Sequence, residues 1–277
     1  AIACISPLSA ALAQAPSFPS KPVKLINSFP PGGPSDILAR SLGEAMQQTL
    51  KQPFVVENRP GAGGNLSADL VAKSAPDGHT VLIGIDTTFT INPGIYKNMP
   101  YKLSDLKPVM IIASSGLLIG VNPATQIKTM NDLIARGRGK GLTFSSGSNG
   151  SPGHLAAEIF GDVAKVKVTH VPYKGAAPAN QDLIGGQVDI FLAPFGKAYD
   201  ELQKQGKLKV LAMLNSERLE SVKDYPAISE SKSLKNFTFT IWTGYFVKKD
   251  TPEPIVQVIH KAITDSLTDP AVRGGLE

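Results

Sequence analysis

The sequence predicts an α/β protein of two hinge-linked lobes, each a parallel or mixed sheet with flanking helices. Two observations carry this. Short β-type runs alternate with helical patterns in two blocks, about 23–85 and 142–213, and repeated β-loop-α units build parallel sheets covered on both faces. Long extended stretches, Val109–Val121 and Phe237–Val247, flank the second block, so the chain is expected to cross between lobes twice. The expected division is 16–120 for the first lobe, 121–229 for the second and 230–277 for the return to the first.

The first block opens with a strand at Val23–Phe29, closed by Pro30-Pro31-Gly32-Gly33-Pro34. A helix follows, with Leu38, Leu42, Ala45, Met46 and Leu50 on one face at helical spacing. Ser35 is read as its N-cap, and Asp36 places a negative charge in the first turn, where the helix dipole favours it. Strand Phe54–Glu57, loop Asn58–Gly64, a helix from about Asn65 to Ser74, the turn Pro76-Asp77-Gly78 and strand Thr80–Ile85 complete the block. Val109–Val121 reads as two apolar runs broken at Ser114-Ser115-Gly116. In the second block, helices Met130–Arg136, His154–Ala164 and Ala179–Ile184 alternate with strands Leu142–Ser145, Val168–Val171 and Val188–Leu192. A helix to about Gln205 and strand Leu208–Met213 then follow. Helix Pro254–Leu267 follows the second crossing.

Composition narrows the class. With 42% hydrophobic and 18% charged residues, the 277-residue chain has the apolar mass for a core and is not a disordered protein. Its net charge of +5 is too mild to call for nucleic acid and suits a protein that meets small anions. One cysteine, Cys4, excludes a disulfide framework and a cysteine-based zinc site. Residues 1–15, AIACISPLSAALAQA, are small, apolar and uncharged, and Ala13-Gln14-Ala15 reads as a signal peptidase site. They are expected to be the remnant of an export signal. A rival lipobox reading of Ala1-Ile2-Ala3-Cys4 is disfavoured by that later site. Cleavage removes the only cysteine, which suits an oxidising periplasm. No later stretch reaches the roughly 18 consecutive apolar residues of a membrane-spanning helix.

In parallel α/β sheets ligands sit beyond the carboxyl ends of the strands. Those positions here are loops 29–36, 58–65 and 86–92 of the first block and 145–154, 172–177 and 193–197 of the second. Almost all are rich in Gly, Ser, Thr, Asn and Pro. Small residues let backbone N–H groups approach a ligand, and each following helix aims its positive end at the same place, so the site suits an anion without a basic side chain. One such loop would mean only a tight turn. Six on two lobes facing one cleft favour binding.

The chemistry of catalysis is missing. Gly61-Ala62-Gly63 is followed by Leu66 where a dinucleotide fingerprint needs glycine. The Gly147–Ser151 run ends in no Gly-Lys-Ser/Thr, and Asn149 stands where a nucleophile elbow needs glycine. His79, His154, His170 and His260 are scattered without metal spacing. No nucleophile–base pair is visible, so no enzyme, cofactor or metal is expected. His154 is either a first-turn residue bonding nearby backbone, the commoner case, or a ligand contact. Lys174 either meets a carboxylate or is an ordinary exposed lysine. Phe29, Tyr173 and Phe195 either wall a ligand or cap the core. Arg136, Arg138 and Lys140 read as a solvated helix end.

At this point the motifs resemble a known family. Pro30-Pro31-Gly32-Gly33-Pro34-Ser35-Asp36 with Ala39-Arg40 is similar to the opening of the Bug proteins, the periplasmic solute-binding components of tripartite tricarboxylate transporters. Also similar are Val56–Asn65, Ala75–Thr80, His154–Glu158, Val171–Gly175 and Asp182–Asp189, in matching order from Pro19 to Arg273. The resemblance implies a type II periplasmic-binding-protein fold that closes on a small carboxylate: a dicarboxylate, an aromatic carboxylate or an amino acid. It implies that one carboxylate is held by backbone amides and bridging waters at Phe29, Gly32, Gly33, Ser35 and Asp36, with Thr87 and Thr88 nearby. The selective end falls on Ser146, Gly147, Ser148, Asn149, Gly150 and Ser151, on Tyr173 and Lys174, and on Pro194 and Phe195. It further implies a periplasmic monomer delivering its ligand to membrane transporter subunits, with no nucleic-acid partner. A sensor passing its closed form to a signalling partner is the alternative. Family members continue past Arg273 with a further helix, where this sequence has Gly274-Gly275-Leu276-Glu277, a truncation or cloning scar on this reading.

Overall fold

The computed structural model describes residues 18–270 and 272–273. The expected export signal, Cys4 and the Gly274–Glu277 end lie outside the described residues. In chain order the elements are β1 (Val23–Asn27), α1 (Pro34–Leu50), β2 (Phe54–Asn58), α2 (Asn65–Ala72), β3 (Thr80–Ile85), α3 (Asp86–Thr90), α4 (Asn92–Ile95) and β4 (Leu106–Val121). Then come α5 (Met130–Lys140), β5 (Leu142–Ser146), α6 (Pro152–Ala164), β6 (Val168–Pro172), α7 (Ala176–Ile184), β7 (Ile190–Pro194), α8 (Lys197–Lys204), β8 (Lys209–Met213), β9 (Thr240–Lys248) and α9 (Glu253–Leu267).

The α/β fold of two lobes is present. In the first, β1 pairs in parallel with β2 and β3, and β3 pairs antiparallel with β9. In the second, β5 pairs in parallel with β6 and β7. β4 joins them: Leu106 to Gly116 pair with β9, while Leu117 to Val121 pair with β7, and Leu118 to Val121 also with β8. The strand order is β2-β1-β3-β9-β4-β7-β5-β6, with β8 on β4.

Strand alternation divides each core into two layers. On β1, Val23 and Leu25 face the cluster that includes Leu42, Met46, Ile259 and Ile263 of α1 and α9. Ile26, next along the strand and on the opposite face, packs with Ala68 and Val71 of α2. On β7, Ile190 and Leu192 join the layer holding Phe160 and Leu133, while Phe191 and Ala193 join that of Leu183 and Tyr199. Each such fully buried aliphatic or aromatic side chain contributes about 1.5–3 kcal/mol. Burial on both faces makes β7 a continuous apolar run in sequence.

Four expectations need correction. Ser35 is not the N-cap: Pro34, whose fixed φ suits a helix's first turn, is the first residue of α1 and leaves Gly33 as the cap, two residues earlier. Loop 86–92 is largely helical, because Phe89 of α3 stacks on Phe246 and Trp242 at 4.2 and 5.7 Å, so tertiary packing overrides the weak helix propensity of DTTFT. The polar triplet Ser114-Ser115-Gly116 does not break β4, since all three pair with Trp242, Ile241 and Thr240 of β9. Arg136 is not a solvated helix end: its guanidinium lies 2.8 Å from the half-buried Asp189 carboxylate.

Candidate functional site

The loop after β1 is built around a buried carboxylate. Asp36 Oδ2 accepts from the Gly32 amide at 2.9 Å and from Arg40 Nε at 3.1 Å. Its Oδ1 accepts from Arg40 Nη2 at 3.0 Å and Asn58 Nδ2 at 2.8 Å. Burial alone would raise the Asp36 carboxyl, but the hydrogen bonds from Arg40, Gly32 and Asn58 hold it below its ordinary value. The Phe29 carbonyl is fixed by Asn27 at 3.1 Å and Asn58 at 3.0 Å. The Gly32 amide is therefore spent on Asp36, and the Asp36 carboxylate on Gly32, Arg40 and Asn58. No side chain caps α1, and Asp36 and Ile37 donate its first amide bonds to the Gly33 carbonyl. The amides of Gly33 and Ser35 precede those bonds, at the positive end of the helix.

A polar network supports the neighbouring glycine loop from below. The Gly63 carbonyl accepts from Thr88 Oγ1 at 3.0 Å and Asn92 Nδ2 at 2.9 Å. Asn65 Oδ1 accepts from Asn92 and from Tyr101. Ser67 donates to the Gly64 carbonyl or to Ser28, and Ser28 reaches the Ile83 carbonyl. Thr87, Thr88, Asn92, Asn65 and Ser67 are all buried. Beside them, Thr87 Oγ1 and Asp86 Oδ1 are buried with no hydrogen-bond partner among the described residues. Burial pushes the Asp86 carboxyl up to about 6, only partly offset by backbone N–H groups, including those of Thr87 and Trp242.

In the second lobe, Ser151 caps α6, its Oγ accepting from the His154 amide. Tyr173 and Gly175 donate their amides to the Ser146 and Gly147 carbonyls at 3.1 and 2.8 Å, joining loops 146–151 and 173–175. Ser146 Oγ donates to the Ser148 carbonyl at 3.0 Å, and His170 Nε2 lies 2.7 Å from it. His154 Nδ1 accepts from the Gly150 amide at 3.0 Å, the local backbone role. The Tyr173 hydroxyl is taken up by Asp182 of α7. Lys174 and Asn149 are exposed. Pro194 ends β7 opposite Leu117, and Phe195 lies against Tyr225, with ring centres 5.6 Å apart, capping the core of the second lobe.

The two lobes meet through these loops. A Cβ placed on Gly150 would lie 3.3 Å from Gly63 Cα and 3.7 Å from Tyr96 Oη. One placed on Gly175 would lie 3.6 Å from Pro30 Cβ. So loop 145–154 faces 58–65, and loop 172–177 faces 29–36. Ser28, Arg40, Tyr96, Tyr101 and His170, outside the loops expected from sequence, and Asn58, Asn65, Asp86 and Asn92, inside them but not given individual roles there, hold these loops or line their approach. Among the described residues no His, Cys, Asp and Glu group has a metal-binding arrangement. No described helix is long and apolar enough to cross a membrane.

Comparison with known proteins agrees with this architecture. A family model described as the tripartite tricarboxylate transporter family receptor matches residues 38–277. The chain is similar to BugT of Bordetella pertussis, 33% identical over 267 residues, covering 95% of this chain and 81% of BugT. It superposes on MatC of Rhodopseudomonas palustris with bound malate at TM-score 0.86 and 32% identity, covering 94% of this chain and 88% of MatC. It superposes on the periplasmic binding protein BugD at TM-score 0.85 and 30% identity, covering 93% and 86%.

Proposed function

Since the chain belongs to the tripartite tricarboxylate transporter receptor family, we propose that it captures a small carboxylate in the periplasm and delivers it to the membrane subunits of such a transporter. Its family and fold are those of solute-binding proteins and not of enzymes. The lobes run 16–120 and 121–229, with 230–277 returning to the first, and the protein acts as a monomer. The ligand carboxylate sits at Phe29–Asp36, where the Gly33 and Ser35 amides receive it while Gly32 and Asp36 keep the loop in shape. Thr87 and Thr88 lie beside it. Loops 146–151 and 173–174, with Pro194 and Phe195 behind them, select the rest of the ligand.

The observation that carries this reading is the meeting of opposed loops at Gly150–Gly63 and Gly175–Pro30. The approach is lined by backbone donors and small residues, so an anion is met by amides and a helix end instead of by a buried base. The malate bound to MatC supports a carboxylate as the ligand class. A thermal-shift screen of dicarboxylates, aromatic carboxylates, amino acids and neutral solutes tests it. A ligand at about 100 times its Kd adds roughly 2.7 kcal/mol to the bound state, so a matching acid raises the melting temperature by several degrees. A panel in which neutral solutes shift the transition and no acid does so overturns the anion reading.

A further inference from the structure

Beneath loop Ser146–Ser151 two histidines from different elements stack face to face, His154 of α6 and His170 of β6, with ring centres 3.9 Å apart and planes inclined by 14°. The Phe144 ring of β5 lies nearly parallel to both, with its centre 4.7 Å from His170 and 6.3 Å from His154. Each imidazole holds one end of the loop: His170 at Ser146, His154 at Gly150.

The hydrogen bonds fix the proton positions. The Ser146 hydroxyl gives its one proton to the Ser148 carbonyl, so its oxygen accepts from His170 Nε2–H. His154 Nδ1 accepts from an amide, so its proton is on Nε2, 3.8 Å from Glu158 Oε1. His154 is therefore the neutral Nε2–H tautomer, and His170 donates from Nε2. The titratable groups acting on His154 are Glu158, one turn along α6, and His170 across the stack. β5 presents Phe144, and the opposite lobe presents Gly63 and Tyr96 to the loop. Burial lowers the His154 value despite Glu158, and burial and then His154 lower His170 to about 4.

We propose that His154 and His170 are positioning residues of the second-lobe half of the site: as a neutral stacked pair they hold loop Ser146–Ser151 in the shape that meets Gly63, and protonation of His154 releases it. A proton added at Nδ1 turns the acceptor of the Gly150 amide into a donor, so that bond is lost. Two imidazolium rings at this separation also repel, so the pair cannot take up two charges and stay stacked. Acidification then loosens the loop at the residue that touches the other lobe. The link to ligand binding rests on the function proposed above.

Nuclear magnetic resonance of the full chain across pH 8 to 5 tests this without a ligand. In the wild type, His154 is the Nε2–H tautomer at pH 8, and Gly150 amide protection, corrected for intrinsic exchange, falls at least tenfold as His154 titrates. His154→Asn, whose Oδ1 stands where Nδ1 stood, keeps that protection throughout, while His154→Leu lacks it already at pH 8. Gly150 protection that ignores the His154 titration, or survives in His154→Leu, overturns the proposal. Calorimetry with malate on the same proteins reads the coupling: affinity is kept in His154→Asn and lost tenfold or more in His154→Leu. Malate affinity unchanged in His154→Leu overturns the link between loop and site. Malate binding to none of the three proteins, with the exchange pattern as expected, counts against malate as a ligand of the proposed site and leaves the positioning role standing.

Discussion

Gly150 of the second lobe meets Gly63 of the first backbone to backbone: a methyl group on Gly150 would lie 3.3 Å from Gly63 Cα. Gly150 has φ +72° and Gly63 φ +63°, the left-handed region that side chains disfavour. Gly150→Ala is therefore expected to cost about 1–2 kcal/mol of stability from backbone strain. It should also weaken ligand binding beyond that, by roughly tenfold, which is about 1.4 kcal/mol, because the added methyl stands where the lobes close. Denaturation and calorimetry on the same preparation separate the two effects. A variant with lowered stability and unaltered affinity removes this contact from the closed state.

Asp36 organises the loop after β1 through its bonds to Gly32, Arg40 and Asn58. Asp36→Ala leaves the Gly32 amide without its acceptor, Asn58 with only the Phe29 carbonyl and Arg40 with only Asn58. The expected loss is about 1–3 kcal/mol at pH 7, with weaker ligand binding. The Asp36 carboxyl is held below its ordinary value, so its contribution is present above that value and is lost as pH falls through the folded one. Urea unfolding at pH 7 and pH 3 should show the gap between wild type and variant shrinking at the lower pH.

Asp86 behaves in the opposite sense. Its carboxyl is raised from 3.8 to about 6, so it favours the fold fully below its ordinary value and loses that contribution as pH rises through about 6. A gap of about two pH units corresponds to roughly 3 kcal/mol. Asp86→Asn should be more stable than wild type by about 1–3 kcal/mol at pH 8 and nearly equal to it at pH 4. Equal stability at pH 8 would show that the buried carboxylate is already compensated.

Much of the fold was legible because its strands are apolar on both faces. Thr80–Ile85 has the same bounds in sequence and structure, and five of its six residues are buried. The crossing at β4 was legible as an apolar segment but not as one strand. Its Ser114-Ser115-Gly116 break is polar locally, and only pairing with β9, more than a hundred residues away in sequence, keeps it extended. At the site, the glycine loops announced themselves by composition. The network under them did not: Ser28, Asn65, Asn92 and Tyr101 are brought together by β1, α2 and α4, and no local pattern marks a polar residue for burial. His170 was equally silent, since its partner His154 lies on another element.

On the proposed function an acid is held at the start of α1 by backbone amides. Gly33→Asp tests it most directly. Gly33 has φ −82°, and a Cβ there would meet only the Pro30 carbonyl, at 3.6 Å, so the fold accommodates the new side chain. The acid that gives the largest shift in the thermal screen is titrated into both proteins by calorimetry. The expected result is unchanged stability without ligand and an affinity loss of about a hundredfold or more, roughly 3 kcal/mol, because a carboxylate then occupies the anion's place. Equal affinity in the two proteins would contradict it.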